Sequence, residues 1–288
     1  MTLNRKLPLA GAALAATLLH LSAHGGFVTV PVQAAGTQPL VSINPKINLD
    51  TPTETQDRAN TLGTLTGADI ASALPAGTIL KASRTAPIVI NGVTVGTLHD
   101  RVWCAGSGST CNATNSYTLG LRVQLNTAAW NPSGQSFELN DIFRAIRAAV
   151  AADVAYYRGS ANPLPTAAPF PATQPAPGTN VETASSYKDL EVVGRTLQGL
   201  FEPSGSAQYA AKTTNNAWID FRVDVNKNDP DVAIPYSYNS EWSPWLVVRQ
   251  VCPSGYNATP QALKARLWQG GEEGQAPQAI LTSAYVCN

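Results

Sequence analysis

Apolar and polar residues alternate most clearly between residues 88 and 126. Every second residue from Tyr117 to Leu125 is large and apolar, the period of a strand with one dry face. Two shorter apolar segments precede it, separated by Asn91-Gly92, a dipeptide that tolerates the positive φ angles of a type I′ hairpin turn. The pattern predicts a three-stranded antiparallel meander.

The same period recurs in the second half of the chain. From Trp218 to Val225 the apolar residues face one way, and Asp220, Arg222 and Asp224 face the other, so this segment is predicted to be a half-buried strand. Further strands are predicted from Trp245 to Val251 and near the end of the chain. Antiparallel β-structure is therefore expected throughout.

Three stretches favour helices instead. Between residues 139 and 157 apolar residues recur at three- and four-residue steps, with Asn140 or Asp141 at the start and Gly159 just after the end. Residues 186–200 predict a weaker helix, and residues 260–268 a short one. The expected fold class is mainly β or α+β, an antiparallel β-sandwich-like domain with one or two packed helices.

The beginning of the chain resembles an export signal. Arg5 and Lys6 precede an apolar run from Leu7 to Leu21, and Val32-Gln33-Ala34 offers a small-residue cleavage site. The alternative, a membrane anchor, needs about 20 uninterrupted apolar residues, and polar and glycine residues break the run before that length. We predict a signal peptide over residues 1–34 and a periplasmic or extracellular mature protein.

Proline divides the remainder of the chain. Residues 162–180 contain six prolines among Ala and Thr, a composition typical of an extended, solvated loop or linker. It separates a β-rich half, residues 35–161, from residues 181–288, and we expect both halves to form one domain.

The composition argues against nucleic-acid binding and membrane binding. Charged residues make up 13% of the chain, and 19 basic side chains balance 19 acidic ones. Nucleic-acid and anionic-membrane binding need a basic surface that this balance does not provide. No apolar segment after residue 35 is long enough to span a bilayer.

Four cysteines in an exported chain predict two disulfides. Three pairings are open, and the nearest-neighbour one joins Cys104 to Cys111 and Cys252 to Cys287. The alternatives, metal binding and thiol redox chemistry, usually use a close C-x-x-C spacing that is missing.

Oxygen-bearing side chains are densest just after the strand that ends at Val225. Calcium prefers six to eight oxygen ligands, and alternate positions of a loop can converge on one ion. The predicted ligands are Asp224, Asn226, Asn228, Asp229 and Asp231. Asp229 occupies the position where an EF-hand loop has glycine, and no glutamate closes the loop, so an ordinary turn is the alternative.

Catalytic patterns are few. His99 is the one histidine after residue 34, and Asp100 beside it would point to the opposite face of a strand and could not orient it. We interpret His99 as an ordinary surface or edge residue. Paired carboxylates could hydrolyse a glycosidic bond, with Asp220, Asp224 and Glu241 as candidates. The aromatic residues between 236 and 268 fit a core or a sugar-stacking surface.

These patterns favour an exported, non-catalytic cell-envelope or extracellular protein with a binding or structural role, with no catalytic residue assigned. Calcium is the one candidate cofactor. The expected partner is a carbohydrate or another envelope protein. The alternative is a secreted, glycosidase-like hydrolase that uses carboxylates to cleave a polysaccharide.

Overall fold

The computed structural model describes residues 27–37, 39, 41–43, 61–64, 78–107, 109–157, 191–199, 212–227, 241–243, 245–271 and 275–288. These residues form fourteen strands, and none of them is helical. The mainly β prediction is therefore confirmed.

Six strands follow one another across the first sheet, sheet A, in the order β1-β9-β12-β7-β5-β4, with the short β6 paired to β5. All its pairs are antiparallel. Its strands are β1 (Val28–Val30), β4 (Thr78–Ile90), β5 (Val93–Ser107), β6 (Thr110–Cys111), β7 (Ser116–Leu125), β9 (Ala152–Tyr157) and β12 (Trp245–Val251).

The second sheet, sheet B, has the order β14-β13-β8-β11-β10-β2-β3, and only its β2–β3 pair is parallel. Its strands are β2 (Val41–Ile43), β3 (Thr61–Thr64), β8 (Leu139–Ala145), β10 (Glu191–Gly194), β11 (Trp218–Val225), β13 (Gln261–Gln269) and β14 (Gln278–Ala284). Strands from before and after residues 162–180 occur in both sheets, and residues 162–180 themselves lie outside the described part.

One apolar core joins the inner faces of the two sheets. Leu98 and Val123 of sheet A and Ile142 and Phe221 of sheet B are fully buried members of the same cluster. The charged side chains of Asp100 and Arg144 also lie between the sheets. Asp100 Oδ1 accepts hydrogen bonds from Nη1 and Nη2 of Arg144, each at 3.2 Å, and Oδ2 accepts the backbone N–H of Tyr285 at 2.7 Å.

The helix predicted over residues 139–157 is wrong: this stretch forms β8 and β9, joined by a turn. All seven residues of β8 are buried, because β11 and β13 flank the strand and both of its faces are covered. A strand buried on both faces loses the alternation of apolar and polar residues. Apolar residues spaced by chance at three and four positions then resemble a helix.

The other two helix predictions are also wrong where the structure describes them. Residues 191–194 form β10, and residues 261–269 form β13. In β13, Ala265 and Leu267 face the core while Arg266 and Trp268 face outward. The strand begins irregularly at Leu263 (φ 56°), so the alternation does not extend over the whole segment and is hard to recognise in the sequence. Residues 186–190 lie outside the described residues.

The predicted meander is confirmed as β4, β5 and β7. Asn91 and Gly92 have φ angles of 51° and 80°, as the hairpin turn requires. Both disulfides are present with the predicted pairing, Cys104 to Cys111 and Cys252 to Cys287. No helix in the described part is long and apolar enough to cross a membrane.

Candidate functional site

The outer face of sheet A carries a group of arginine and aromatic side chains that we call the arginine–tryptophan face. Alternation along β5 points Asp100 and Val102 into the core and their neighbours outward. The register places His99 opposite Arg122 of β7, and Arg101 opposite Gly120. The face consists of His99, Arg101, Trp103, Arg122, Trp242 and Trp245.

Two tryptophans form the floor of this face. The rings of Trp103 and Trp245 are fully buried and meet edge to face, with centroids 5.5 Å apart. They occupy the space above Gly120, where a Cβ atom would lie 2.6 Å from Cζ3 of Trp103. The guanidinium of Arg101 lies 5.0 Å from the centre of the Trp245 ring. Glycine at position 120 therefore makes room for the aromatic floor.

A third tryptophan lies at the rim of the face. Trp242 is half-buried, and its ring centre lies 4.5 Å from the Arg122 guanidinium and 5.4 Å from the His99 ring. Its indole N–H donates to Glu241 at 3.0 Å. Cation–π contact and this hydrogen bond fix the ring beside two nitrogen-bearing side chains.

Several hydrogen-bond donors of this face have no acceptor. Nε and Nη1 of Arg101 and the indole N–H groups of Trp103 and Trp245 are buried and have no partner among the described residues. Arg249, on the same face, is different, since it donates to Asp153 at 2.9 Å. Buried polar groups in native proteins nearly always have a partner, so these four donors call for an explanation.

The electrostatic potential of the face is positive. Burial, followed by the charges of Arg122 and Arg101, lowers the pKa of His99 from 6.5 to about 4. Burial also lowers the pKa of Arg101. At neutral pH His99 is therefore uncharged, and the arginines give the face its charge. Such an arrangement can attract an anion.

A second cluster lies on the outer face of sheet B. Arg222 of β11 pairs with Asp141 of β8, and Asp220 pairs with Phe143, so the two aspartates are diagonal neighbours. Both are fully buried, and the charge of Asp141 raises the pKa of Asp220. The two carboxyl groups therefore lie close together, and a proton on one of them would relieve their repulsion. We call these two residues the acid pair.

A chain segment lies beside the acid pair. This segment, Arg195 to Gly199, is called the strap, and its backbone oxygens accept hydrogen bonds from two cationic side chains. Arg266 donates to Leu197 O, and Lys212 donates to Gln198 O. Gly199 packs on the Trp268 ring, where a Cβ atom would lie 2.2 Å from Cδ1. The strap is thus linked to the acid pair through Lys212 and Arg266, whose charges act on Asp220.

Burial, and then the neighbouring charge of Asp141, raises the pKa of Asp220 well above its usual range, whereas Lys212 and Arg266 oppose this rise. A protonated carboxyl group beside an ionised one is the combination that a general acid and base use in glycoside hydrolysis. Both groups are fully buried in this structure.

The structure places the predicted site residues in different regions. His99 and Asp100 point to opposite faces, as predicted, but His99 is not an edge residue, because β4 and β7 flank β5. Asp220 meets Asp141 rather than Glu241, whose described contacts are Lys227, Gln124 and Trp242.

Most of the predicted calcium ligands cannot be located. Asn228, Asp229, Asp231 and the side chain of Asp224 lie outside the described residues. Asn226 is buried, and its Nδ2 donates to Glu138 at 3.3 Å. Within the described ranges, no group of three or more His, Cys, Asp or Glu side chains could hold a metal ion.

Sequence reasoning missed the main residues of both clusters. Arg101 and Trp103 follow His99 at alternate positions, a signal that could have identified an outward-facing group on β5. The helical spacing of residues 139–157 predicts Asp141 near a helix start and gives no sign of its partner Asp220.

The chain matches no protein-family model, no curated protein and no solved structure.

Proposed function

We propose that this protein is an exported, non-catalytic binding protein of the cell envelope or extracellular space, and that it binds its partner through the arginine–tryptophan face. The outer face of an antiparallel sheet is ordinarily polar and solvated. Here that face carries a second apolar cluster, formed by Phe27, Trp103, Ala155, Trp245 and Val247. This cluster, with arginines beside it, is the observation that supports the proposal.

The proposed partner is a carbohydrate or another envelope protein. Aromatic rings with arginine and amide groups nearby are typical of surfaces that stack on sugars or anchor protein partners. Trp242 is the half-exposed ring of the group. It lies beside His99 and Arg122, so a bound partner would contact all three.

A glycan array and a pull-down from envelope extract test this proposal. Trp242→Ala should lose binding, whereas Trp218→Ala, a half-buried tryptophan of β11 in sheet B, should bind as the unmodified protein does. The proposal fails if neither screen gives a partner, or if both variants lose binding equally.

A carboxylate-based hydrolase is the second candidate, because the two carboxyl groups lie together and the pKa of Asp220 is raised. We favour binding because Lys212 and Arg266, whose charges act on Asp220, also hold the strap and so give the pair a structural role. A panel of polysaccharide substrates decides between them. Turnover that Asp141→Asn and Asp220→Asn both abolish would make hydrolysis the function.

Export is part of the proposal, and the contacts of β1 indicate where the signal peptide ends. Val30 is fully buried in the main core, and its backbone oxygen accepts a hydrogen bond from Arg195 at 3.2 Å. Thr29 donates to Asp153 at 2.6 Å. Cleavage after Ala34 would remove β1 with these contacts. We therefore propose processing before Phe27, among residues 22–26, four of which are Ser, Ala or Gly.

The mass of the mature protein, purified from the periplasm of an expression host, tests this placement. A polypeptide that begins between residues 23 and 27 is expected. A start at Ala35 would show that β1 is absent from the mature fold.

Calcium binding by the loop that begins at Asp224 is a further part of the proposal. Glu138 adds a buried carboxylate at the base of that loop, where Asn226 donates to it. We expect weak affinity, of about 0.1–1 mM, because the loop lacks the EF-hand glycine and glutamate. Melting in EDTA and in millimolar calcium should differ for the unmodified protein and not for Asp224→Ala or Asp229→Ala. Equal melting of the unmodified protein would leave an ordinary turn.

A further inference from the structure

Buried hydrogen-bond donors without a partner among the described residues lie together on the outer face of sheet A. Arg101 is 8% exposed, and Trp103 and Trp245 are fully buried. Their side chains are in contact, with the Arg101 guanidinium over the Trp245 ring and that ring against Trp103. Burying a guanidinium without a counter-charge is unfavourable, and burying an indole N–H without an acceptor adds to that cost.

We propose that the arginine–tryptophan face contains an oxyanion site, in which the Arg101 guanidinium and the indole N–H groups of Trp103 and Trp245 bind a carboxylate, sulfate or phosphate group. This inference rests on the proposed function, since it concerns the same face and names the chemistry of the ligand. The oxyanion belongs to an acidic carbohydrate in this proposal, and free anions share the same chemistry.

The chemistry of the donors selects an anion. Arg and Trp side chains donate hydrogen bonds and accept none, so a cation has no ligand among them. Guanidinium and oxyanion groups form charge-assisted hydrogen bonds, which are stronger than neutral ones. No acidic side chain of the described residues pairs with Arg101, whereas Asp153 already neutralises Arg249. Arg101 is therefore a buried positive charge without a counter-ion among the described residues.

The neighbouring histidine supports the assignment. His99 lies two residues before Arg101 on the same face, and the positive charges of Arg122 and Arg101 help to hold its pKa near 4. An anion bound beside Arg101 would cancel part of that repulsion. The pKa of His99 should then rise when the site is filled, which gives an independent reading of occupancy.

The experiment uses the full folded protein with sodium acetate, sulfate and phosphate as probes, at constant ionic strength set with sodium chloride. Heteronuclear NMR follows the indole N–H signals of Trp103 and Trp245, assigned with Trp103→Phe and Trp245→Phe, and the pKa of His99. Saturable shifts of both signals, with a raised His99 pKa, are expected. Arg101→Gln should weaken binding at least tenfold, and Arg249→Gln should not change it.

The two phenylalanine variants remove the N–H donors and keep a smaller aromatic ring at each position of the floor. Each should weaken oxyanion binding several-fold, and they provide the test if Arg101→Gln does not fold. Shifts that do not saturate, that chloride reproduces, or that Arg101→Gln leaves unchanged would overturn the site.

Failure of this inference is distinguishable from failure of the proposed function. A partner from the glycan array that depends on Trp242, but that neither sulfate nor acetate displaces, would uphold the binding face and reject the oxyanion site. Saturable oxyanion binding without any partner in either screen would uphold the oxyanion site and reject the proposed function. Competition between acetate and an oligosaccharide of uronic acids separates a free anion from an acidic carbohydrate.

Discussion

Loss of the charge on Asp100 should strongly destabilise the protein. Asp100 is fully buried between the sheets and accepts two hydrogen bonds from Arg144, which is 1% exposed. Asp100→Asn leaves the Arg144 guanidinium in the core without a counter-charge. Removing one partner of a buried ion pair costs about 3–5 kcal/mol. For a chain of this size, that corresponds to a melting temperature lower by about 6–20 °C.

Replacing Arg144 instead of Asp100 should destabilise the protein with a different dependence on pH. Arg144→Met removes the partner that donates two hydrogen bonds to Asp100 and leaves Arg84, whose Nε lies 3.6 Å from Oδ2; burial raises the pKa of Asp100 in the folded state. The folded protein then keeps a proton that the unfolded chain releases above about pH 4. Stability is consequently lost as the pH rises above that value. The destabilisation by Arg144→Met should be smaller at pH 4 than at pH 8, and that by Asp100→Asn should vary less.

Urea unfolding of the two single variants and the double variant, at both pH values, measures these differences. The double variant should be less destabilised than the sum of the single ones, because no buried charge is left unpaired. Asp153→Asn is the matched control, since its ion pair with Arg249 is 20–30% exposed and should contribute at most about 1 kcal/mol. Equal effects of Asp100→Asn and Asp153→Asn would refute the reasoning.

Three further changes test the outer faces. Gly120→Ala should cost about 1–3 kcal/mol in urea unfolding, because its methyl group would lie 2.6 Å from Trp103; unchanged stability would contradict the described packing. A His99 pKa of about 4 implies that the stability of the folded protein decreases as the pH drops from 6.5 to 4, by about 1–2 kcal/mol after solvent screening. Thermal unfolding of His99→Gln should not show this decrease. The raised pKa of Asp220 implies the opposite sign, stability lost as the pH rises above about 4, and Asp220→Asn should reduce that loss; an identical pH profile would argue against the raised pKa.

Local signals in the sequence predict some of the strands well. The turn at Asn91-Gly92 and the alternation from Tyr117 to Leu125 define the meander, since each depends on neighbouring residues alone. The strand from Trp218 to Val225 is predicted as well, but its polar side is not solvated. Asp220 and Arg222 are buried because other parts of the chain cover the outer face of sheet B. Coverage of this kind is a tertiary property that alternation does not encode.

The same limitation explains the false helices. β8 lies between β11 and β13 and is buried on both faces, so its polar residues Asp141 and Arg144 are paired rather than exposed. The sequence shows these residues among apolar ones without any sign of their partners. Asp100, which neutralises Arg144, is distant in the chain. Long-range pairing of buried charges therefore hid both the strand and the acid pair.

The charges of this protein are used differently between the sheets and outside them. In the core, Asp100 and Arg144 compensate each other, so that pair can be understood as part of the fold. On the outer faces the compensation is partial: Nε and Nη1 of Arg101 lack an acceptor among the described residues on sheet A, and on sheet B the charges of Lys212 and Arg266 only partly oppose the raised pKa of Asp220. Stability alone does not favour either arrangement, because an apolar side chain would avoid the desolvation cost. These outer faces are therefore where the proposed binding function is best tested.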